Sequence, residues 1–306
     1  MNQSLRSLSS TKVADSARSH NPGTLQCPVC GLDAGYAGIA TYYTQERHFY
    51  TPMFHCGSCS LYLRSVSADD LEGHCYAASY VQPANEPRFF DARRDFFEYL
   101  LRIIERELAN SVPNPTLVDF GCSYGHLLEV AGKRGFIPIG VELNSRLRQH
   151  CCGKGLSVVA EISEIPGGTT NVVTMVDSLY YVSKPLEVLR QIRELLTPGG
   201  ILVLRVTNRN WVATLRRRLL KNSDLSVLGD GMVSYSQKGI HKVLANAGFD
   251  VLRELPDRGT GKKLGIQRKA LYVLLELVTL LFGGRLIFTP GIVVVARRNF
   301  LRRSVQ

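Results

Sequence analysis

From residue 116 onward, the apolar residues follow two alternating patterns. Short apolar runs rich in β-branched residues, which are typical of strands buried in a parallel sheet, occur at 116–120, 137–142, 156–160, 171–177 and 201–206. Between these runs, apolar residues recur at helical spacing at 124–134, 144–153 and 184–196. Alternating strands and helices build a parallel sheet with helices on both faces. The pattern therefore predicts an α/β fold with a Rossmann-like, doubly wound sheet.

The first 115 residues lack this alternation. Residues 1–22 are rich in Ser, Thr, Asn and Arg and are predicted to be a disordered tail. Residues 23–66 contain four cysteines and are predicted to be a small domain. Residues 67–115 are predicted to be a connector and a helix over about 89–109, where apolar residues recur at helical spacing. The larger domain is expected at 116–298.

A glycine turn follows the first strand of the larger domain. Asp119 and Gly121 are followed by Gly125, and Glu142 stands at the end of the next strand. Such a turn lets backbone N–H groups approach a ligand, and the carboxylate accepts hydrogen bonds from ribose hydroxyls, which predicts an adenosine site. The Asp-x-Gly-x-x-x-Gly spacing differs from Gly-x-Gly-x-x-Gly, and the acid would repel a pyrophosphate. It suits a ligand that carries an ammonium and a sulfonium. Ser123 is predicted to cap the following helix.

Four residues of the larger domain fall at or just past the carboxyl ends of predicted strands. They are Gly121, Glu142, Glu161 and Asp177. Because ligands of parallel sheets bind beyond these ends, we expect the four positions to converge on one crevice.

Two Cys-x-x-Cys pairs lie in the small domain: Cys27, Cys30, Cys56 and Cys59. Each pair directs two thiolates at one tetrahedral metal, and the 25 residues between the pairs can form a short antiparallel ribbon. Gly31 and Gly57 are predicted to provide the turns. Four thiolates fill the coordination shell of zinc, so a structural zinc without catalytic chemistry is predicted. A pair of redox dithiols is the competing interpretation.

The chain carries a net charge of +11, which indicates an anionic partner. Nucleic acid, a membrane surface and a phosphorylated substrate are the candidates, and a solvated basic surface is the alternative. Four of the eight cysteines form the two pairs, and no secretory signal precedes them. A reducing, cytoplasmic compartment is therefore expected.

Residues 116–208 resemble the class I S-adenosylmethionine-dependent methyltransferases. The match comprises DFGCSYG at 119–125, VEL at 141–143 and LTPGG at 196–200. The cysteine pairs and the segment from Tyr235 to Phe249 extend the resemblance, over about residues 25–298, to a subfamily with an N-terminal zinc ribbon. That subfamily occurs among bacterial sugar C-methyltransferases and related glycan and natural-product enzymes. The resemblance implies a seven-stranded sheet whose last two strands pair antiparallel at its edge.

The resemblance also implies which residues hold the cofactor, S-adenosylmethionine. Gly121 and Gly125 would flank its methionine portion, with the backbone of Cys122 and Ser123 nearby. Asp119 would organise the turn and the amino group of the cofactor.

Three further acids complete the implied cofactor site. Glu142 would hold the ribose. Glu161 lies one residue from the acid that relatives usually place beside the adenine. Asp177 sits where the fourth strand opens into the active site.

One departure from the family lies after the fourth strand. Relatives often have Asp-x-Leu-Glu-His, whereas residues 177–181 read DSLYY, so tyrosines replace the usual Glu and His. A general base could then be Tyr181 with a lowered pKa, His241, or Tyr80 or His74 of the connector. Alternatively no base is needed, because methyl transfer to a good nucleophile depends mainly on in-line positioning. Tyr180 and Tyr181 would then be pocket wall.

Two insertions in the larger domain are basic and apolar. Residues 208–222 form a predicted basic amphipathic helix, of the kind that lies on anionic membranes. The second, 262–285, contains the apolar run 270–282, which is too short to span a bilayer. Ordinary packing and peripheral contact with the inner membrane surface are both open. The basic tail at 299–306 adds charge.

Three functions are compatible with these features. The first is methylation of a small molecule or of a glycan, free or lipid-linked. The second is RNA methylation, since some RNA methyltransferases carry a zinc module and basic charge. The missing aromatic-basic stacking motif and the missing Asn-Pro-Pro-Tyr signature argue against nucleic acid. The third is a catalytically inactive S-adenosylmethionine-binding protein, against which the intact glycine turn argues.

Overall fold

The computed structural model describes residues 23–43, 48–65, 86–108, 112–221, 223–257, 266–283 and 285–299. The predicted tail at 1–22, Tyr80 and His74 of the connector, and residues 300–306 lie outside these ranges.

The described strands and helices alternate along the larger domain. The strands are β1 (Leu25–Gln26), β2 (Asp33–Tyr43), β3 (His48–Cys56), β4 (Leu61–Arg64), β5 (Thr116–Phe120), β6 (Ile137–Val141), β7 (Val158–Val159), β8 (Thr170–Val176), β9 (Leu196–Thr207), β10 (Val233–Tyr235), β11 (Phe249–Pro256) and β12 (Gly291–Arg298). The helices are α1 (Glu86–Leu108), α2 (His126–Lys133), α3 (Ser145–Gly153), α4 (Pro185–Leu195), α5 (Asn210–Leu219), α6 (Gln237–Ala247) and α7 (Ile266–Leu281).

Seven strands form the larger sheet, in the order β11-β12-β9-β8-β5-β6-β7. The five strands from β9 to β7 pair in parallel, while β12 pairs antiparallel with both β9 and β11. The order reverses between β5 and β8, where a parallel sheet opens a crevice at its carboxyl edge. The predicted seven-stranded sheet with an antiparallel edge is confirmed.

Helices cover both faces of this sheet. On one face, the apolar stripe of α1 packs on the sheet through Phe97, Leu101, Ile104, Leu117, Val293 and Val295. On the other face, α4 and α6 contribute Leu189, Ile192, Val243 and Leu244, which pack against Met175, Leu202 and Leu204. Because β-branched and leucine side chains of the central strands are buried on both sides, those strands read as continuous apolar runs.

A second sheet has five strands in the order β1-β2-β3-β4-β10. Its first four strands come from the cysteine-containing segment, and β10 comes from residues 233–235 of the larger domain. Leu63 lies opposite Val233, and Leu61 opposite Tyr235, in this antiparallel pair. The two parts of the chain are therefore joined by a strand pair.

One local prediction was wrong. Ser123 does not cap α2, because the turn continues to Gly125, which occupies the N-cap position with a φ of 76°. Gly57 lies in the turn of the second cysteine pair as predicted, but its φ is not positive. The left-handed residue there is Ser60, with a φ of 53°, at the position that Gly31 (φ 72°) holds in the first pair. In both pairs it is the residue after the second cysteine that bends the chain.

Candidate active site

The turn after β5 is built from backbone conformations that favour glycine. Gly121 and Gly125 have φ values of 81° and 76°, and Ser123 between them has 50°. The N–H groups of Gly121 and Cys122 donate to the carbonyl oxygen of Val141, at 2.8 and 3.2 Å. The turn is therefore fastened to the end of β6, and the two strand ends form one wall of the crevice.

Glu142 follows β6 and is 7% exposed. Its Oε2 accepts a hydrogen bond from the Ser123 N–H and its Oε1 one from the Asn144 N–H, each at 2.9 Å. Burial raises the pKa of Glu142, while these N–H groups act in the opposite direction. The structure thus brings the glycine turn and the expected ribose-binding acid into direct contact.

Asp119 lies near the carboxyl end of β5 and is 4% exposed. Its Oδ1 accepts a hydrogen bond from the Thr174 hydroxyl at 2.7 Å. Burial raises the pKa of Asp119 to about 7, the Thr174 hydroxyl opposes the rise, and the charge of Glu142 adds to it. A cation bound beside these acids would favour their ionised forms, so the pair suits a ligand with an ammonium group.

The space beside the turn tests whether S-adenosylmethionine fits. A Cβ on Gly121 would lie 2.9 Å from the Cβ of Ser178, so a side chain there would close the gap between the turn and the end of β8. The Ser178 hydroxyl is buried and has no hydrogen-bond partner within the described residues. Since buried hydroxyls are usually hydrogen-bonded, a polar ligand in this gap would supply the partner that Ser178 lacks among the described residues. The residues present fit the cofactor.

Cys122 and Glu161 make other contacts. A hydrogen bond with Cys151, together with burial, raises the pKa of the Cys122 thiol, so this thiol serves in packing and is not a nucleophile.

Glu161 is exposed, and its Oε2 accepts a hydrogen bond from the Ser163 hydroxyl at 3.3 Å. It caps the short 3₁₀ helix Ile162–Glu164. The contact of Glu161 with the adenine of the cofactor stays a prediction.

Asp177 lies directly after β8 with a φ of 59°, a strained conformation for a residue other than glycine. It forms ion pairs with Arg93, at 2.6 Å, and with Arg205. Burial opposes its ionisation, but the two guanidinium groups outweigh burial and hold the pKa of Asp177 below its usual value. Arg205 in turn donates through Nε to Asp257 at 3.2 Å. Asp177, which we expected in the cofactor site, is therefore paired with two arginines.

These arginines border a cavity of about 320 Å³. Its charged and aromatic lining consists of Arg93, Asp177, Tyr180, Arg205, Arg209 and Asp230. Arg209 donates to the carbonyl oxygen of Val227 at 3.4 Å, and within the described residues no acid is paired with it. Asp177 lines this cavity and Ser178, the next residue, borders the glycine turn. The cavity and the cofactor crevice therefore meet at residues 177–178.

Tyr180 and Tyr181 stand at this junction, with ring centroids 4.6 Å apart. The Tyr181 hydroxyl donates to Oδ2 of Asp230 at 3.1 Å. Burial is the main cause that raises the pKa of Tyr180, and the nearby Asp177 adds to it. A base tyrosine needs a lowered pKa, so Tyr180 does not meet the requirement and lines the cavity. Tyr181, the tyrosine predicted as a base, donates its hydroxyl hydrogen to Asp230 here, and its catalytic role stays a prediction.

His241 is not brought to the cavity. It lies on α6 and its Nε2 is 2.9 Å from Oε1 of Glu254 on β11. Two strands, β12 and β9, separate β11 from β8 in the sheet. His241 therefore lies too far from the carboxyl end of β8 to act as a base there. Its partner Glu254 is on the antiparallel edge of the sheet, away from the crevice. Tyr80 lies outside the described residues.

The four cysteines of the small sheet converge. Their Sγ atoms all lie within 4.8 Å of one another, and those of Cys30 and Cys56 are 3.6 Å apart. A zinc–sulfur distance of about 2.3 Å would place tetrahedral thiolates roughly 3.8 Å apart, so the cluster has the right dimensions for zinc. Cys27 and Cys59 are buried, and Gly31 N–H closes the first turn on the Cys27 carbonyl at 2.9 Å.

Arg64 at the end of β4 connects the small sheet to the cavity. It is 4% exposed, its N–H donates to the Met232 carbonyl at 2.8 Å, and its Nε donates to the Gly231 carbonyl at 3.2 Å. Its other terminal nitrogens donate to the Gly229 carbonyl and to Thr51. Because residues 229–231 line the cavity, the ribbon holds one of its walls.

Most of the residues that build this cavity leave no signal in the sequence. Arg205 left one signal: it stands in the otherwise apolar run ILVLRV, and a charge in a buried strand needs a partner. Arg64, Arg93, Arg209 and Asp230 leave no comparable signal, because arginine and aspartate are common surface residues whose types do not identify a partner.

The fold and this crevice define a class I S-adenosylmethionine-dependent methyltransferase domain. The chain belongs to the family described as "Methyltransferase domain", whose model matches residues 91–254, more than half of its length.

Curated proteins and solved structures show the same likeness. The chain is 30% identical over 105 residues to the ubiquinone biosynthesis O-methyltransferase of Pseudomonas paraeruginosa, covering 31% of this chain and 45% of that protein. It is 27% identical over 149 residues to the enzyme of the same name from Haemophilus ducreyi, covering 44% and 59%. The chain thus spans about half the length of these relatives.

Among solved structures, the chain is similar to one from the complex of the Haloferax volcanii Trm112 methyltransferase activator with a methyltransferase. The TM-score is 0.52 at 15% identity, covering 78% of this chain and 100% of that chain, which shows a shared fold. Within the described part of the present chain, no helix has both the length and the apolar character to cross a membrane.

Proposed function

We propose that this protein transfers a methyl group from S-adenosylmethionine to an oxygen of a small, hydrophilic acceptor. The acceptor binds in the cavity that Arg93, Arg205 and Asp230 line. The observation that carries the proposal is the junction at residues 177–178. Ser178 borders the cofactor turn, while Asp177 lines a charged cavity of about 320 Å³. A volume of this order matches a small-molecule site.

The cofactor residues follow from the crevice. Asp119 accepts the ammonium group, Glu142 the ribose hydroxyls, and the backbone of Gly121 and Ser123 approaches the methionine portion. The cofactor supplies an electrophilic methyl group on a sulfonium. These assignments use acids that are buried beside one another and that a cationic ligand would stabilise.

The acceptor is fixed by polar groups. Arg209, which has no acidic partner within the described residues, would bind an anionic or hydroxyl group of the acceptor, and Arg205 is locked between Asp177 and Asp257 as a rigid wall. Sugars and polar glycolipid headgroups belong to this chemical class. The relatives named O-methyltransferases support oxygen as the methylated atom.

Proton removal falls to Asp230. It lines the cavity, and the Tyr181 hydroxyl orients it through the bond at 3.1 Å. As a lone pair of the acceptor oxygen forms the new carbon–oxygen bond, the carbon–sulfur bond breaks with its electron pair going to sulfur. The acceptor proton moves to the Asp230 carboxylate, and S-adenosylhomocysteine is the second product. Positioning the acceptor oxygen in line with the methyl group supplies the rest of the rate acceleration.

The cysteine cluster would hold a structural zinc. Four thiolates leave no open coordination position, so the metal would stabilise the ribbon and, through Arg64, the wall at residues 229–231.

The test is transfer of a labelled methyl group from S-adenosylmethionine into extracts of host cells, separated into small-molecule, lipid and RNA fractions. We expect label in the small-molecule or the lipid fraction. Label in RNA alone would overturn the acceptor assignment, and no binding of S-adenosylhomocysteine in calorimetry would overturn the cofactor assignment.

Two variants locate the acceptor site. Asp230→Asn is expected to lower the transfer rate about 100-fold, and Arg209→Gln to raise the acceptor KM, while affinity for S-adenosylhomocysteine stays unchanged. Arg190→Gln, an exposed arginine on α4, is the matched control. Wild-type transfer by both cavity variants would show that the acceptor binds elsewhere.

A further inference from the structure

The outer face of α7 is apolar. Large apolar side chains 49 to 85% exposed follow one another along this helix and the turn after it: Leu271, Val273, Leu274, Leu277, Leu280, Leu281, Phe282 and Leu286. The polar Thr279 is buried instead, and its hydroxyl accepts from the Phe288 N–H at 3.2 Å. A helix in contact with water shows the reverse arrangement, polar outside and apolar inside.

The neighbouring helix α5 continues this apolar face. Leu215, Leu219 and Leu220 are 49, 71 and 68% exposed. Trp211 of α5 packs edge-on against Phe288, with centroids 5.6 Å apart, and Phe288 contacts Phe282 at the end of α7 with centroids 5.5 Å apart. We call the exposed apolar residues of α5, α7 and the segments following them the leucine surface. Contiguous apolar surface of this kind marks a binding face.

Basic residues border the leucine surface. Arg217, Arg218 and Lys221 are exposed beside the α5 leucines, and Arg285 is exposed after α7. The sequence of α5 contains no acid, and the whole chain carries a charge of +11. Leucines flanked by arginines match the boundary between acyl chains and anionic headgroups.

We propose that the leucine surface docks the protein on an anionic lipid bilayer. A second copy of this chain is the poorer occupant, because a twofold contact would bring the exposed Arg217, Arg218, Lys221 and Arg285 of both copies to one surface. On the two helices only Glu276 of α7 is acidic, so most of these positive charges would repel one another. With α7 only 16 residues long, the helices lie in the plane of the interface and do not cross it.

The experiment is flotation of the full-length protein with vesicles of phosphatidylcholine alone and of phosphatidylcholine mixed with phosphatidylglycerol. We expect the protein to float with the anionic vesicles and to float less when salt is raised, because salt screens the arginines. Protein that stays at the bottom of the gradient with both vesicles would overturn the proposal.

A pair of double variants isolates the leucine surface. The first double variant, Leu274→Ser with Leu277→Ser, replaces leucines whose side chains are 56% and 53% exposed. The control, Leu32→Ser with Ile137→Ser, replaces apolar side chains on other surfaces that are 57% and 53% exposed. We expect the first pair to weaken vesicle binding at least about tenfold and the control pair to leave it unchanged. Equal loss in both would overturn the assignment to this surface.

Charge and self-association are tested separately. Arg217→Ser with Arg218→Ser is expected to weaken binding to anionic vesicles and to leave binding to phosphatidylcholine unchanged. Affinity for S-adenosylhomocysteine, measured on every variant, shows that the fold is retained and keeps this result separate from the proposed function. A dimer in light scattering that the Leu274→Ser, Leu277→Ser variant dissociates, without vesicle binding by the wild type, would assign the surface to a second copy.

Discussion

Replacing Glu142 by glutamine tests the cofactor crevice at the acid that is hydrogen-bonded to the glycine turn. The carboxylate accepts the Ser123 and Asn144 N–H groups, each at 2.9 Å, and we propose that it also accepts the ribose hydroxyls. A glutamine has the same shape but only one oxygen, so its NH₂ group would face one of these two backbone donors. Either the turn or the ligand must lose a partner.

The magnitude differs between folding and binding. A hydrogen bond to a charged acceptor contributes about 1.5–3 kcal/mol, so losing one weakens ligand affinity roughly 10- to 150-fold. Folding is affected less, because burial raises the pKa of Glu142 and a neutral glutamine avoids that desolvation cost. We therefore expect a large loss of affinity with a small change in the free energy of unfolding.

The assay is calorimetry with S-adenosylhomocysteine, with thermal unfolding of the free protein measured in parallel. Glu194→Gln is the control, since Glu194 is exposed at the end of α4, where β9 begins, at the edge of the sheet opposite the crevice. Glu161→Gln tests the predicted adenine contact separately. Wild-type affinity of a folded Glu142→Gln protein would refute the ribose assignment. A loss of affinity in Glu161→Gln would instead support the predicted adenine contact.

Three further predictions concern the turn, Asp119 and the ribbon. Gly125→Ala should lower the free energy of unfolding by about 2–4 kcal/mol, because a left-handed φ is strained and the new Cβ would lie 2.4 Å from Leu156 Cδ1. Gly155→Ala, with a φ of 75° and open space, should cost only about 1 kcal/mol in the same urea titration, and equal costs would contradict the steric argument. Because burial raises the pKa of Asp119 from 3.8 to about 7, the free protein should lose stability as pH rises between these values. An ammonium bound there lowers this pKa, so ligand affinity should rise up to about pH 7 with release of a proton, and a binding enthalpy independent of buffer would contradict this. Arg64→Met should reduce methyl transfer while S-adenosylhomocysteine still binds, and equal loss of both would show a general structural role.

The sequence predicted the glycine turn, the buried parallel strands and the cysteine cluster, for a physical reason. Glycines at 121 and 125 are needed wherever the backbone takes a positive φ, so a turn of this kind leaves a local signature. Buried parallel strands require apolar runs, and a thiolate cluster requires Cys-x-x-Cys spacing. Each of these signals lies within a few residues of sequence. The N-cap assigned to Ser123 failed because the turn extends two residues further than the local pattern suggests.

The charged cavity could not be predicted from the sequence, because it depends on residue pairs that are far apart along the chain. Arg205 lies between Asp177 and Asp257, and Arg64 supports carbonyls near residue 230. Arginine and aspartate are common surface residues, so their types carry no information about partners. His241 illustrates the converse, since its residue type suggested a base and its strand neighbours placed it with Glu254.

The sequence by itself determined the strand and helix order, the glycine turn with the acid Glu142, and the four cysteines, since periodicity, glycine conformation and ligand spacing are local properties. The tertiary structure decided which charges share a cavity, that β10 joins the cysteine ribbon to the larger domain, and that the leucines of α5 and α7 face outward. These features arise from packing, because the partners of a charge and the exposure of an apolar side chain are set by segments that meet only when the chain is folded.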